Sequence, residues 1–330
     1  MPLALPCFFS NNMKITVIGC GRWGSLITWY LDSIGHQVTL YGRAGSARME
    51  RFLATRANDL LTLPESVSLT TDLSCTLDSE VIIISIGAQG LQALFDELRP
   101  LELKNKTFVL CMKGIEISTG RRLSQIAEEN VDESCAVAVW LGPGHVQEFY
   151  AGIPNCMVID SKNNDIKHRL VDSFSSDLIR FYYGDDLIGN EIGAAAKNVV
   201  GIAAGILDGL SLPTLKGALM ARGTREIARL IRAMGGNELS AYGLCHLGDY
   251  EATVFSPYSH NRRFGEAFIK GEEFGKLAEG YYTVKALMEL SEKSGVELPI
   301  CETVYKGLYC NEDAAILIRG LFNRSLKQDF

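Results

Sequence analysis

The sequence predicts an α/β fold in which a doubly wound N-terminal domain is followed by an all-helical C-terminal domain. Three observations carry that expectation. Short apolar runs alternate with helically spaced segments from Met13 onward, a glycine-rich turn directly follows the first run, and the strand signal stops past about residue 186. Strands alternating with helices imply a parallel sheet covered on both faces. The length of 330 residues suggests about two domains.

Residues 1–12, MPLALPCFFSNN, hold an apolar run interrupted by prolines, with no Lys or Arg ahead of it and no small-residue cleavage pattern. They read as a disordered leader rather than a secretory signal, with Met13 a candidate functional start. The first domain is expected over 13–186. KITVI (14–18), QVTLY (37–41), VIIISI (81–86), TFVLC (107–111) and AVAVWL (136–141) are β-branched or aromatic runs of the kind buried in parallel sheets. CMVI (156–159) and LIRFYY (178–183) extend the sheet, and Gly24–Ile34 and Gly90–Leu98 are helical in spacing. The second domain is expected over 187–330. Its helical segments are Glu191–Leu210, Lys216–Met234, Gly265–Ile269, Thr283–Ser294, Pro299–Leu308 and Asp313–Leu321.

Composition narrows the function. With 47% hydrophobic and 22% charged residues the chain is ordinary globular protein, neither disordered nor collagen-like. A net charge of −7 argues against nucleic acid as a partner. No run of 18 apolar residues predicts a membrane span. Nine cysteines without a CxxC pair point to a reduced compartment, the cytoplasm, and five scattered histidines give no ground for a metal site.

Gly19-Cys20-Gly21-Arg22-Trp23-Gly24 follows a strand and opens a helix, the context of a Rossmann-like dinucleotide turn. Gly19 permits the tight turn, Gly21 lets a pyrophosphate approach the backbone, and Gly24 allows close helix–strand packing. The helix N-terminus supplies N–H groups and partial positive charge to the phosphates. At the end of the second strand, Leu40-Tyr41-Gly42-Arg43-Ala44 offers no acid for a ribose 2′-hydroxyl. Arg43 would pair instead with a 2′-phosphate, so NADP is preferred and NAD allowed.

Lys197 and Asn198 interrupt a segment of small and aliphatic residues, Glu191 to Gly209, that reads as a buried helix. A buried ammonium has a lowered pKa, which suits a proton donor to a developing alkoxide. Lys113 follows a strand and so sits at the carboxyl edge of the sheet, and Gly142-Pro143-Gly144 is placed alike. Asp249 falls in a turn between helices. Ser259-His260-Asn261-Arg262-Arg263 gathers hydroxyl, imidazole, amide and guanidinium groups in one loop, a mix that suits phosphate.

These segments resemble the bacterial-type NAD(P)-dependent glycerol-3-phosphate dehydrogenase family, whose helical domain is 6-phosphogluconate-dehydrogenase-like. The resemblance rests on GCGRWG (19–24), MKGIE (112–116), LGPG (141–144), EIGAAAKNVVGIAAGI (191–206), RGTREIARLIRAMGG (222–236), LGDY (247–250), HNRRFG (260–265), AEGYYTVKAL (278–287) and ELPICETVY (297–305). It implies reversible reduction of dihydroxyacetone phosphate to sn-glycerol 3-phosphate for glycerophospholipid synthesis. It also implies Lys197 as catalytic acid/base, with Lys113, Gly142, Gly144, Asp249, Ser259, His260 and Asn261 at the substrate. Arg22, Trp23, Arg43, Lys113, Val146, His260, Leu277 and Glu279 would meet the cofactor beside the three glycines. Site residues are expected from both domains.

Three departures cluster among these residues. His260 stands where the family usually has arginine, Leu210-Ser211-Leu212-Pro213-Thr214 replaces a Gly/Asn-rich turn, and Gly144-His145-Val146 replaces Ser/Thr-Phe-Ala. Arginine grips phosphate bidentately and is always charged, whereas histidine, with a pKa of about 6.5, is only partly cationic at neutral pH. Arg262 is the candidate substitute. Two alternatives stand beside the dehydrogenase: a related reductase of another small hydroxy acid or phosphorylated carbonyl, and a non-catalytic cofactor-binding regulator. A homodimer is expected only on the general prevalence of two-fold oligomers.

Overall fold

The computed structural model describes residues 12–323. The expected leader therefore lies, apart from Asn12, outside the described residues. Chain contacts divide the protein into two compact units. One comprises the described residues up to Met112 together with Leu123–Leu187, and the other Lys113–Arg122 together with the described residues from Ile188 on.

The first unit is built on one eight-stranded sheet of order β3-β2-β1-β4-β5-β6-β7-β8. Its strands are β1 (Lys14–Ile18), β2 (Gln37–Tyr41), β3 (Ser68–Thr70), β4 (Val81–Ile84), β5 (Thr107–Leu110), β6 (Ala136–Leu141), β7 (Asn155–Ser161) and β8 (Ile179–Tyr183). Every residue of β4 and β5 is buried, as in central parallel strands covered on two faces. β3, a three-residue edge strand of sequence SLT, carries no apolar run and escapes sequence detection. Its helices are α1 (Arg22–Ser33), α2 (Ala47–Thr55), α3 (Leu91–Leu98), α4 (Leu123–Asn130), α5 (Val146–Tyr150) and α6 (Asn164–Phe174).

The sheet is mixed rather than wholly parallel, which corrects the sequence expectation. β7 runs antiparallel to β6, and β8 is parallel to β7. Between β6 and β7, residues 142–154 hold only the five-residue α5, at the lower limit of the dozen or so residues a parallel crossover takes, whereas an antiparallel neighbour needs only a short connection.

Chain order reverses at β1, which lies between β2 and β4. Ligands of doubly wound sheets bind at such a switch point, outside the carboxyl ends of the strands. Here Gly19 adopts φ +115, its N–H donates to Tyr41 O at 3.0 Å, and a Cβ on it would stand 2.2 Å from Ser85 O. A Cβ on Gly24 would stand 1.9 Å from Gly19 O, so α1 packs on the turn only because residue 24 has no side chain. Gly24→Ala is expected to lower stability by about 1–3 kcal/mol, the range for overpacking a close contact, with urea denaturation as the measurement.

The second unit contains α7 (Leu187–Gly209, from Ile188 on), α8 (Lys216–Ala233), α9 (His260–Lys270), α10 (Glu279–Ser294), α11 (Pro299–Cys310) and α12 (Ala314–Phe322). Its core gathers on α7, whose Ala194, Ala195, Ala196, Val199, Val200 and Ile202 are fully buried. α7 alone among the described helices is long and apolar enough to cross a membrane, but 89% of the relevant window is buried in the protein, the mark of a core helix. The small residues of α7 serve backbone contact. A Cβ on Gly205 would lie 1.9 Å from Arg262 O, and one on Gly265 2.1 Å from Ile202 O, so α7 and α9 touch through their main chains.

Residues 260–263 are not the loop expected from their polarity. α9 begins at His260, because the Ser259 hydroxyl accepts from Arg262 N at 3.3 Å and caps the helix.

Candidate active site

In the first unit, the glycine turn and the start of α1 stand at the switch point. Gly21 is the N-cap of α1, and no side chain caps it. Apart from its chain neighbours, a Cβ built on Gly21 would meet among the described residues just Arg48 Nη1, at 4.0 Å. Backbone is therefore open to a ligand here, with a guanidinium beside it. Arg43 is exposed at the end of β2, and Arg48 in the first turn of α2 brings a second cation to the same turn. The sequence marks Arg48 only by its spacing of five residues from Arg43, across the entry into α2. Trp23 Nε1 is buried without a hydrogen-bond partner.

The turn after β6 is brought to the same place. Arg22 Nη2 donates to Gln147 Oε1 at 3.2 Å, and the Trp23 and Phe149 rings lie 6.0 Å apart. Gly142 and Gly144 have φ +124 and +142, and Val146 is buried at the start of α5. A dinucleotide fits these residues. The bare turn and the uncapped N-terminus are of the kind that would accept a pyrophosphate, Arg43 and Arg48 are cations beside that turn, and the Trp23 N–H lacks an acceptor.

The second unit holds the lysines. Lys197, on α7, donates from Nζ to Thr253 Oγ1 at 2.7 Å and pairs with Asp249 Oδ2 at 2.8 Å. Lys113 Nζ reaches the same Asp249 oxygen at 2.7 Å. Asp249 is 1% exposed, and its other oxygen, Oδ1, is buried without a hydrogen-bond partner. Two ammonium groups thus share one carboxylate oxygen, leaving a net positive charge in a desolvated place. Burial pulls the Lys197 pKa down from the usual 10.5 to about 8; Asp249 opposes that fall and Lys113 reinforces it.

Several elements hold this arrangement. Asp249 ends a short 3-10 turn, Leu247–Asp249, and Thr253 lies four residues on in a π-helical turn, Glu251–Phe255. The Thr253 hydroxyl donates to Asp249 O at 2.7 Å, so its oxygen faces Lys197 as an acceptor. The segment carrying Lys113 folds back through an Ile115–Arg122 bridge and is tied to α7 by a buried Arg122–Glu191 pair at 2.5 Å. Thr253 joins Lys197 and Asp249 without being marked by the sequence; its one signal there is the i+4 spacing from Asp249.

Amides continue the network. Asn198 Nδ2 donates to Lys113 O at 3.0 Å, Asn261 Nδ2 to Asn198 Oδ1 at 3.0 Å, and Gly280 N to Asn261 Oδ1 at 2.9 Å. Asn261 in the first turn of α9 is thereby joined to the lysine centre and to the start of α10, beside Glu279. His260 Nδ1 lies 3.2 Å from Leu277 O, so two more of the expected cofactor residues meet.

Arg262 is not the substitute for an arginine at 260. Its Nε donates to Asp208 Oδ2 at 2.5 Å, and Lys216 Nζ binds the same carboxylate at 2.7 Å. The guanidinium therefore braces the end of α7. In the turn that follows, Ser211 adopts φ +59, a left-handed conformation that glycine or asparagine takes more readily.

Models of the N-terminal and C-terminal regions described as NAD-dependent glycerol-3-phosphate dehydrogenase match residues 14–167 and 186–319. A glycerol-3-phosphate dehydrogenase [NAD(P)+] from a Thermoanaerobacter species is 34% identical over 329 residues, covering 96% of this chain and 99% of that protein. Its counterpart from Prosthecochloris aestuarii is 33% identical, covering 96% of this chain and 100% of that protein. Among solved structures, glycerol-3-phosphate dehydrogenase from Coxiella burnetii superposes with a TM-score of 0.90 at 27% identity, over 95% of this chain and 99% of that one.

Proposed function

The chain belongs to the NAD(P)-dependent glycerol-3-phosphate dehydrogenase family, and from that premise we propose that it reduces dihydroxyacetone phosphate to sn-glycerol 3-phosphate with Lys197 as the proton donor. The observation that carries the proposal is the buried Lys197 ammonium, held by Thr253 and Asp249 and shifted to a pKa of about 8. An acid whose pKa lies near the working pH gives and regains a proton with least loss in either direction.

NADPH or NADH supplies hydride to the C2 carbonyl carbon when bound. Lys197 Nζ carries three protons as an ammonium; Thr253 and Asp249 hold two, leaving the third for the carbonyl oxygen. As negative charge develops on that oxygen, Lys197 and Lys113 stabilise it, and Lys197 Nζ delivers the proton that completes the alcohol. Asp249 fixes both lysines through Oδ2, while Oδ1 accepts from a substrate hydroxyl. Ser259, His260 and Asn261, at the start of α9, hold the phosphate, and Gly142 and Gly144 give the substrate close access to backbone.

Arg22, Trp23, Val146, Leu277 and Glu279 complete the cofactor contacts, with Arg43 and Arg48 favouring a 2′-phosphate and so NADP over NAD. The product is the backbone of glycerophospholipids. The domain limits 13–186 and 187–330 belong to the same reading, with Lys113–Arg122 grouped with the second unit. So does a cytoplasmic location, in keeping with eight described cysteines that stand outside any disulfide. A homodimer completes it, supported by general prevalence alone.

Neither alternative, another reductase or a non-catalytic regulator, is favoured by the relatives. The test is a pH study in both directions. Reduction needs the ammonium, so kcat/KM for dihydroxyacetone phosphate falls as pH rises through about 8. Oxidation of glycerol 3-phosphate needs the neutral amine, so its kcat/KM rises through the same value. Failure to oxidise NADPH when dihydroxyacetone phosphate is added would overturn the proposal.

A further inference from the structure

The two residues that bracket Asp249 have side chains the reaction does not use. His246 and Tyr250 are both fully buried, at 0% exposure. His246 Nδ1 lies 2.8 Å from Gly193 O, and the Tyr250 hydroxyl lies 2.8 Å from His246 Nε2. A carbonyl only accepts, so Nδ1 carries the proton and Nε2 accepts from Tyr250. Both ring nitrogens are thereby committed, and burial holds the imidazole neutral, with its pKa lowered to about 4.

The partners of this pair matter. Gly193 O lies four residues before Lys197 on α7, so His246 bonds the helical turn that carries the lysine. A Cβ on Gly193 would stand 2.9 Å from His246 Cβ, so the ring enters only because that position is bare. Tyr250 OH lies 3.4 Å from Thr224 Oγ1 on α8. The main chain closes the same loop: Asp249 N donates to His246 O at 3.0 Å, and Thr253 N to Tyr250 O at 3.0 Å.

We infer that His246 and Tyr250 form a buried clamp that positions Asp249 and Thr253 against Lys197. The inference rests on the proton-donor role of Lys197 proposed above. Lys197 is faced by Asp249 and Thr253 from the clamped turn and by Lys113 from the 113–122 segment, while neutral His246 adds no charge. Loosening the turn withdraws the Asp249 carboxylate that supports the ammonium. Lys197 then loses its proton at lower pH, and the acid limb of reduction moves with it.

The experiment compares kcat/KM for dihydroxyacetone phosphate reduction across pH in the wild type, Tyr250→Phe, His246→Asn and the double variant, with Lys197→Ala as control. Tyr250→Phe keeps the ring packing and removes only the hydroxyl; His246→Asn keeps a donor for Gly193 O and, being shorter, removes the Nε2 atom that meets Tyr250. The expected result is a high-pH limb displaced acidward by at least about half a unit, a threefold loss above the limb, in each single variant. The double variant moves no further than either single one, because the two side chains act as a unit. NADPH affinity stays at the wild-type value.

A limb unmoved in Tyr250→Phe, with activity lost equally at all pH in step with melting temperature, overturns the clamp. That result settles the matter even if His246→Asn fails to fold. A wild-type enzyme without the limb would instead overturn the role of Lys197, so the two failures are distinguishable.

Discussion

Lys197→Ala is expected to lower kcat for dihydroxyacetone phosphate reduction by about 10³–10⁴-fold, since it removes both the proton donor and a positive charge beside the oxyanion. NADPH affinity should be retained, because the residues assigned to the dinucleotide are other ones. Fluorescence titration with NADPH, run beside the activity assay, separates this loss from misfolding. Lys197→Arg sharpens the test. A guanidinium keeps the charge but does not deprotonate in the working range, so oxidation of glycerol 3-phosphate stays abolished. Oxidation at a wild-type rate in that variant would assign the base to another group.

The second large effect is expected at Asp249. Asp249→Asn preserves shape while removing the single carboxylate that two ammonium groups share at 2.7 and 2.8 Å. Breaking a buried ion pair by neutralising one partner typically costs about 3–5 kcal/mol, reduced here because Lys113 retains some contact with solvent. Lys197 escapes the penalty by giving up its proton. Its pKa therefore falls further below the value of about 8 that burial already imposes. Reduction at pH 8 should drop by about 10²-fold or more, with the deficit shrinking toward lower pH as the ammonium is restored. Rate profiles at several pH values check both the size and the direction. A deficit independent of pH would show that Asp249 does not act through the lysine.

Much of the first unit is legible in the residues. Runs such as VIII and TFVL admit little besides buried strands, and a Gly-x-Gly-x-x-Gly turn between a strand and a helix has few other uses. Where the sequence misleads, a longer-range fact intervenes. β3 is a three-residue edge strand, β7 runs antiparallel to β6 after a connection that holds only the short α5, and the polar run 260–263 becomes helix because Ser259 caps it and α7 receives it. Arg262 looks available for phosphate in the sequence, yet Asp208, 54 residues away, holds it at 2.5 Å.

The sequence by itself determined the inventory: a dinucleotide turn, a cation after the second strand, and a lysine embedded among alanines and glycines. Those follow from local backbone needs and from what solvent avoids, and both are written in neighbouring residues. The tertiary structure alone decided which side chains meet. Lys113, Lys197 and the turn carrying Asp249 and Thr253 converge from three separate segments, and the Lys197 pKa depends on how far water is excluded and which charge stands within 3 Å. Desolvation and Coulomb attraction act through space rather than along the chain, so no spacing in the sequence encodes them.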